Sequence, residues 1–99
     1  MRQVNIQAAA LADLAQADAW YEAQFPGLGD ELLDEFRLAV AKIAEYPLSF
    51  TEIDEGVRRA MLRRFPYHVI YIVEDSSIEV VAALHAHRHS NAWRLRLDR

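Results

Sequence analysis

Polar and apolar residues alternate over Gln3–Gln7, with Val4 and Ile6 on one side, and this period of two predicts a short first strand. The period changes at Ala8. From there to Phe25 alanine is abundant, and Leu14, Ala17, Tyr21 and Phe25 recur at spacings of three and four, the rhythm of an amphipathic helix. Pro26-Gly27-Leu28-Gly29 ends that helix and makes a tight connection. Asp30 is placed to cap a second helix, with Glu31 near its positive end. Leu32, Phe36, Val40 and Ile43 form its apolar stripe, and Pro47 stops it. Two such helices joined by a few residues predict an antiparallel hairpin.

Leu48–Gly56 reads as a loop. Three β-type runs follow, Val57–Arg64, Tyr67–Glu74 and Ser77–Leu84, separated by turns at Phe65-Pro66 and Asp75-Ser76. Connections this short predict an antiparallel meander. The expected fold is α+β, a single domain over residues 1–99 in the order β-α-α-β-β-β. The helical hairpin packs on one face of a small antiparallel sheet, and a short C-terminal helix or tail follows.

Two of the runs are apolar on both alternating faces. Tyr67, Val69, Tyr71 and Val73 stand against Ile70 and Ile72; Ile78, Val80, Ala82 and Leu84 stand against Val81 and Ala83. Strands of this kind are covered on both sides. The hairpin covers one. The tail with Trp93, Leu95 and Leu97 is placed to cover part of the other, and ground left open there is expected to bind another protein.

Composition narrows the classes. Of 99 residues, 53% are hydrophobic and 26% charged, a globular balance. The chain has no cysteine, which excludes disulfides and thiolate metal sites and fits a reducing cytoplasm. The start lacks the apolar run of a signal peptide, and no apolar stretch approaches the length of a membrane span. The net charge of −4 is uneven: residues 1–57 carry three Lys/Arg against eleven Asp/Glu, and residues 58–99 carry eight against four. The basic second part also holds all four histidines and can face an acidic partner.

Trp20-Tyr21-Glu22 followed by Pro26-Gly27-Leu28-Gly29, then Arg58-Arg59 with Leu62 and Arg64-Phe65-Pro66-Tyr67-His68-Val69-Ile70-Tyr71, then Ile78–Leu84 with His85-Ala86-His87-Arg88 and Trp93, resemble in order the segments of the RelE/ParE toxin family of type II toxin–antitoxin systems. The likeness covers nearly the whole chain and leans to the ParE-like, plasmid-stabilisation branch. It implies growth inhibition, a cognate antitoxin, and a homodimer or a heterotetramer with that antitoxin. It also implies one of two targets. ParE-like members inhibit DNA gyrase without hydrolysing anything; RelE-like members cleave messenger RNA on the ribosome. A family member that has lost toxicity and survives as a binding module is a third reading.

Metal-free RNA cleavage needs a base, a cation for the scissile phosphate and an acid. The candidates are Arg59 and Arg63, placed on one face of a strand, His68 on the neighbouring strand, and Arg88. By resemblance, His68 stands where RelE-like nucleases have an arginine, and Arg88 matches the arginine of their C-terminal motif. The lysines and the C-terminal tyrosine of those nucleases are missing: no lysine follows Lys42 and no tyrosine follows Tyr71. A non-enzymatic, gyrase-binding toxin is therefore the leading reading. Candidate contacts to target or antitoxin are Arg58, Arg64, Tyr71, His85, His87, Trp93 and Arg94. A basic strand edge that resists aggregation is the plainer account of the arginines. His85, His87 and His89 alternate, but no acid or cysteine nearby completes a zinc set, so neither metal nor cofactor is expected. His85 is expected to pack on Trp93.

Overall fold

The computed structural model describes residues 2–88 and 91–97. Helix α1 spans Ala8–Gln24 and α2 spans Leu28–Glu45; the strands are β1 Gln3–Ile6, β2 Thr51–Asp54, β3 Val57–Met61, β4 Tyr67–Val73 and β5 Ser77–His85. A short 3₁₀ turn, Ala92–Arg96, closes the described chain. The fold is the expected α+β arrangement, a two-helix hairpin on one face of a sheet ordered β1-β5-β4-β3-β2.

The second helix begins two residues before the expected cap. Gly27 takes φ +92°, a conformation open to glycine, and α2 starts at Leu28, so Asp30 and Glu31 lie in its first turn. The capping acceptor comes from the other helix. The Glu22 carboxylate accepts the N–H groups of Gly27 at 2.9 Å and Gly29 at 3.1 Å. At Gly29 the helices nearly touch: a Cβ there would sit 2.9 Å from the Asp18 carbonyl oxygen. These two contacts explain the Gly-Leu-Gly connection.

The segment expected as a loop after Leu48 contains a fourth meander strand. Thr51–Asp54 pairs with β3 through Thr51↔Arg59 and Glu52↔Arg58. Only Ile53 in it is apolar, so it left almost no hydrophobic period. Gly56 at φ +73° makes its turn, with Glu52 accepting the Gly56 N–H. The extra reversal has a topological consequence. It makes β5 run in the same direction as β1, and the two pair parallel, Gln3↔Ser77 to Ile6↔Val80. The sheet is thus mixed rather than wholly antiparallel.

Both faces are cores. Against the helices pack Leu14, Ala17, Leu32, Phe36 and Ile43 with Val69, Tyr71, Ile78, Val80 and Ala83. On the far face Val57, Ile70, Val81, Ala82 and Leu84 surround Trp93, with Ile53, Ile72 and Leu97 at the margin. A bulge breaks the expected alternation of β5: Ile70 pairs with Ala82 but Tyr71 pairs with Val80. Val81 is the extra residue, and Val81 and Ala82 both join the far cluster.

The expectation of an open sheet face is overturned. Val57, Ile70 and Ala82 are wholly buried, because the tail lays Trp93 across them. The large apolar residues that remain exposed lie elsewhere, on the helices, on the Tyr46–Leu48 turn, at the β3 edge and at Leu95 of the tail.

Candidate functional site

The C-terminal end of β5 meets α1 in a cleft of about 170 Å³ lined by Gln16, Trp20, Tyr67, His85 and Arg88, with Asp13 at its base. His85 pairs with Tyr67 across the strands, and their rings meet edge to face at 5.4 Å. Its Nδ1 accepts the N–H groups of His87 at 3.1 Å and Arg88 at 3.3 Å, which fixes the turn after β5. That turn brings the Arg88 guanidinium to 6.0 Å from the half-exposed Trp20 ring. Burial, aided by Tyr21 and Asp13, pushes the Tyr67 phenol above its ordinary pKa against the pull of Arg88. The cleft therefore offers a neutral hydroxyl, an aromatic face and a cation.

His85 does not pack on Trp93, as the sequence suggested. It faces the helices, whereas Trp93 lies in the far cluster. Because β5 ends at His85 and a turn follows, His85 and His87 do not continue an extended row; His89 and Ser90 lie outside the described residues. Among the described residues no group of three His, Cys, Asp or Glu side chains is placed to hold a metal ion.

The arginines after Gly56 divide by task. Arg58 donates to the carbonyl oxygens of Leu48 at 3.2 Å and Phe50 at 2.7 Å and so ties down the approach to β2. Arg59 is exposed on β3. Arg63 is not on a strand, since β3 ends at Met61. The cause is Glu35 of α2, whose Oε1 accepts the N–H groups of Arg63 at 2.9 Å and Arg64 at 3.0 Å and bends the chain off the sheet. Arg64 then bridges Glu35 and Glu31, at 2.5 and 2.8 Å. Burial of the Glu35 carboxyl favours its neutral form, but the Arg64 and Arg63 donors outweigh it and hold the group below its ordinary pKa.

Three further sequence candidates are interior or structural. Tyr71 is fully buried and donates its hydroxyl to the Pro47 carbonyl oxygen at 2.6 Å; burial pushes it up to about 12. Trp93 is core, and Arg94 lies over its ring at 4.5 Å while pairing with Asp54 at 2.7 Å. Sequence reasoning missed Asp13, Trp20 and Glu35 as organisers. Asp13 and Glu35 read as ordinary exposed helix acids, and only the fold puts strand ends beside them.

The match of the chain to known proteins agrees with this architecture. The family model described as ParE toxin of type II toxin-antitoxin system, parDE, matches residues 4–90. The chain belongs to the ParE toxin family. Among solved structures it is similar to a chain of the chromosomal ParDE TA system from P. aeruginosa, with 17% identity and a TM-score of 0.69 over 86% of this chain and 96% of that one. At that identity the likeness shows the shared fold. No curated protein matches the chain. No helix among the described residues of this ParE-family toxin is long and apolar enough to cross a membrane.

The buried polar side chains of this ParE-family toxin include His68. It lies on the far face of β4 between Met61 and Leu84, is 3% exposed, and neither ring nitrogen has a hydrogen-bond partner among the described residues. Burial foremost, then Arg59 and His85, depresses its pKa. The unfolded chain therefore binds the extra proton first, and stability falls as pH drops through about 6.5 until the lower folded-state value is reached. Leucine in place of His68 removes two unpaired buried atoms, each of a kind that costs about 1–3 kcal/mol. We expect His68→Leu to raise unfolding stability by roughly 1 kcal/mol at pH 7 and to flatten the decline between pH 8 and 5. Urea melts across that range check both; an unchanged pH slope would remove His68 as its source.

Proposed function

We propose that this chain is the toxin of a type II pair that acts in the cytoplasm. A cognate antitoxin neutralises it, and the freed protein stops growth by binding DNA gyrase rather than by cutting RNA. Family membership supports the toxin role. The observation that favours binding over hydrolysis is the dispersal of the four nuclease candidates. Arg59 stands on β3 near enough to His68 to act on its pKa, but His68 itself is buried, Arg63 follows the strand end at Glu35, and Arg88 faces α1 beside Trp20. A base, a phosphate clamp and an acid must converge within hydrogen-bond reach of one ribose and its phosphate. A buried His68, with Arg63 and Arg88 held on different elements, supports the reading that the four do not act together in this way.

Purified chain added to gyrase and relaxed plasmid is expected to suppress ATP-dependent supercoiling in a dose-dependent way. Equimolar antitoxin is expected to restore it. Full supercoiling at saturating toxin would sink the gyrase reading. Primer extension on translated messenger RNA after induction is expected to show no new cleavage sites; new sites would return the nuclease reading.

A further inference from the structure

Between α2 and the end of β3 runs a groove of about 130 Å³ walled by Leu38, Phe50, Met61 and Leu62. A space near that size accepts a benzene-sized apolar group. Leu38 is 60% and Met61 47% exposed, and Tyr46 and Leu48 continue the apolar ground at 59% and 62%. Of the charged residues lining the groove, Glu35 is spent on Arg63, Arg64 and the strand-end N–H groups. Lys42 and the Arg63 side chain have no acidic partner among the described residues, nor has Arg59, two residues before Met61. The groove is thus apolar inside and cationic at its rim.

The backbone beside it is also open. β2 stops opposite Arg59, with Thr51 its last partner. The Leu62 N–H donates to the Tyr67 carbonyl oxygen of β4. Alternation along a strand turns the N–H and C=O of Met61 the other way, toward the side β2 has vacated. Among the described residues no backbone group takes that rung, at the mouth of an apolar slot.

We propose that this groove seats an extended acidic segment of the antitoxin. The segment pairs its backbone with Met61, sinks one apolar side chain between Leu38 and Phe50, and sets carboxylates on Lys42 and Arg63. The inference rests on the reading that an antitoxin neutralises the chain. A second copy of the chain fits less well, because a two-fold contact would bring these cations against themselves.

The test is calorimetric titration of the full toxin with the protein encoded beside its gene, at two salt concentrations. Lys42→Glu with Arg63→Glu is expected to weaken binding at least thirtyfold and to flatten its salt dependence, as loss of paired charges does. Met61→Pro removes the outward N–H together with the Met61 side chain of the groove wall and is expected to cost about tenfold. Arg37→Glu, elsewhere on α2, is expected to stay within about twofold. Thermal melts check that each variant folds. Wild-type affinity in both groove variants would overturn the site while leaving neutralisation intact. An equal loss in Arg37→Glu would reduce the effect to general charge and overturn it too. No binding by the wild-type chain would sink the antitoxin reading and this inference with it.

Discussion

Replacing Trp93 by alanine is expected to cost about 3–5 kcal/mol of unfolding free energy, the range for truncating a buried tryptophan. Trp93 is 2% exposed and is the centre of the far-face cluster. Without it Val57, Ile70, Val81, Ala82 and Leu84 lose their lid. A domain of this size holds about 5–15 kcal/mol in total, so the loss is a large share of the whole. The melting temperature should drop by roughly 15–30 °C. The newly wetted strands should bind a hydrophobic dye before the helices melt. Trp93→Phe keeps most of the burial and is expected to cost less than half as much. A melting temperature within about 5 °C of wild type for Trp93→Ala, roughly 1 kcal/mol, would mean that the tail does not hold the far face.

The roof formed by Trp93 is also where the sequence stopped being legible. Elements with a strong period read well. Leu14, Ala17, Leu32, Phe36 and Ile43 are the buried stripe of the two helices, and β4 is apolar on both faces as its two alternating sets require. β2 did not read, because one apolar residue in four makes no period and its pairing is decided by β3. The β5 bulge did not read either, since a single extra residue at Val81 shifts every later side chain to the other face. The apolar excess of β4 and β5 was real, but its cover is internal. A few tail residues with one tryptophan looked too little to roof a sheet. They suffice because the bulge gathers Val81 and Ala82 under the same ring.

The candidate site was legible in part. The His85-x-x-Arg88 spacing does place an arginine at a cleft, as a turn after a strand end allows. The basic run Arg58-Arg59 and Arg63-Arg64 did not form one patch. Two of its four guanidiniums are bound inside the molecule, Arg58 by carbonyl oxygens and Arg64 by Glu31 and Glu35. The Arg64 partners, 29 and 33 residues away, cannot be inferred from spacing. The outcome is a division of the surface. The cleft at Trp20, Tyr67 and Arg88 lies by α1, and the cationic groove at Lys42 and Arg63 lies by α2.

Asp13→Ala is expected to be the other large loss, roughly 2–4 kcal/mol, somewhat below the 3–5 kcal/mol for breaking a fully buried pair. The reason lies in a strand edge. β1 covers β5 only as far as Val80, so the edge beyond it is bare. Asp13 of α1 fills the gap by accepting the Ala83 N–H at 3.0 Å. The same carboxylate clasps Arg96 of the tail through two bonds of 2.6 and 2.8 Å, and Arg96 also donates to the Val81 carbonyl oxygen. The pair is mostly hidden, with side-chain exposures of 10% for Asp13 and 25% for Arg96. Its hydrogen bonds to Asp13 outweigh burial and raise the Arg96 pKa, so the guanidinium stays charged. Alanine at 13 leaves an orphaned N–H and a half-buried cation at once. Glu35 does the same work at the end of β3, so two helix acids each plug a shortened strand. If the clasp is real, Asp13→Ala and Arg96→Ala must be non-additive, with a coupling of about 1–3 kcal/mol that survives 1 M salt because the pair is shielded. Denaturant melts of the four-member cycle measure it. Additive losses would show that the tail is held by Trp93 alone and that Arg96 merely lies alongside.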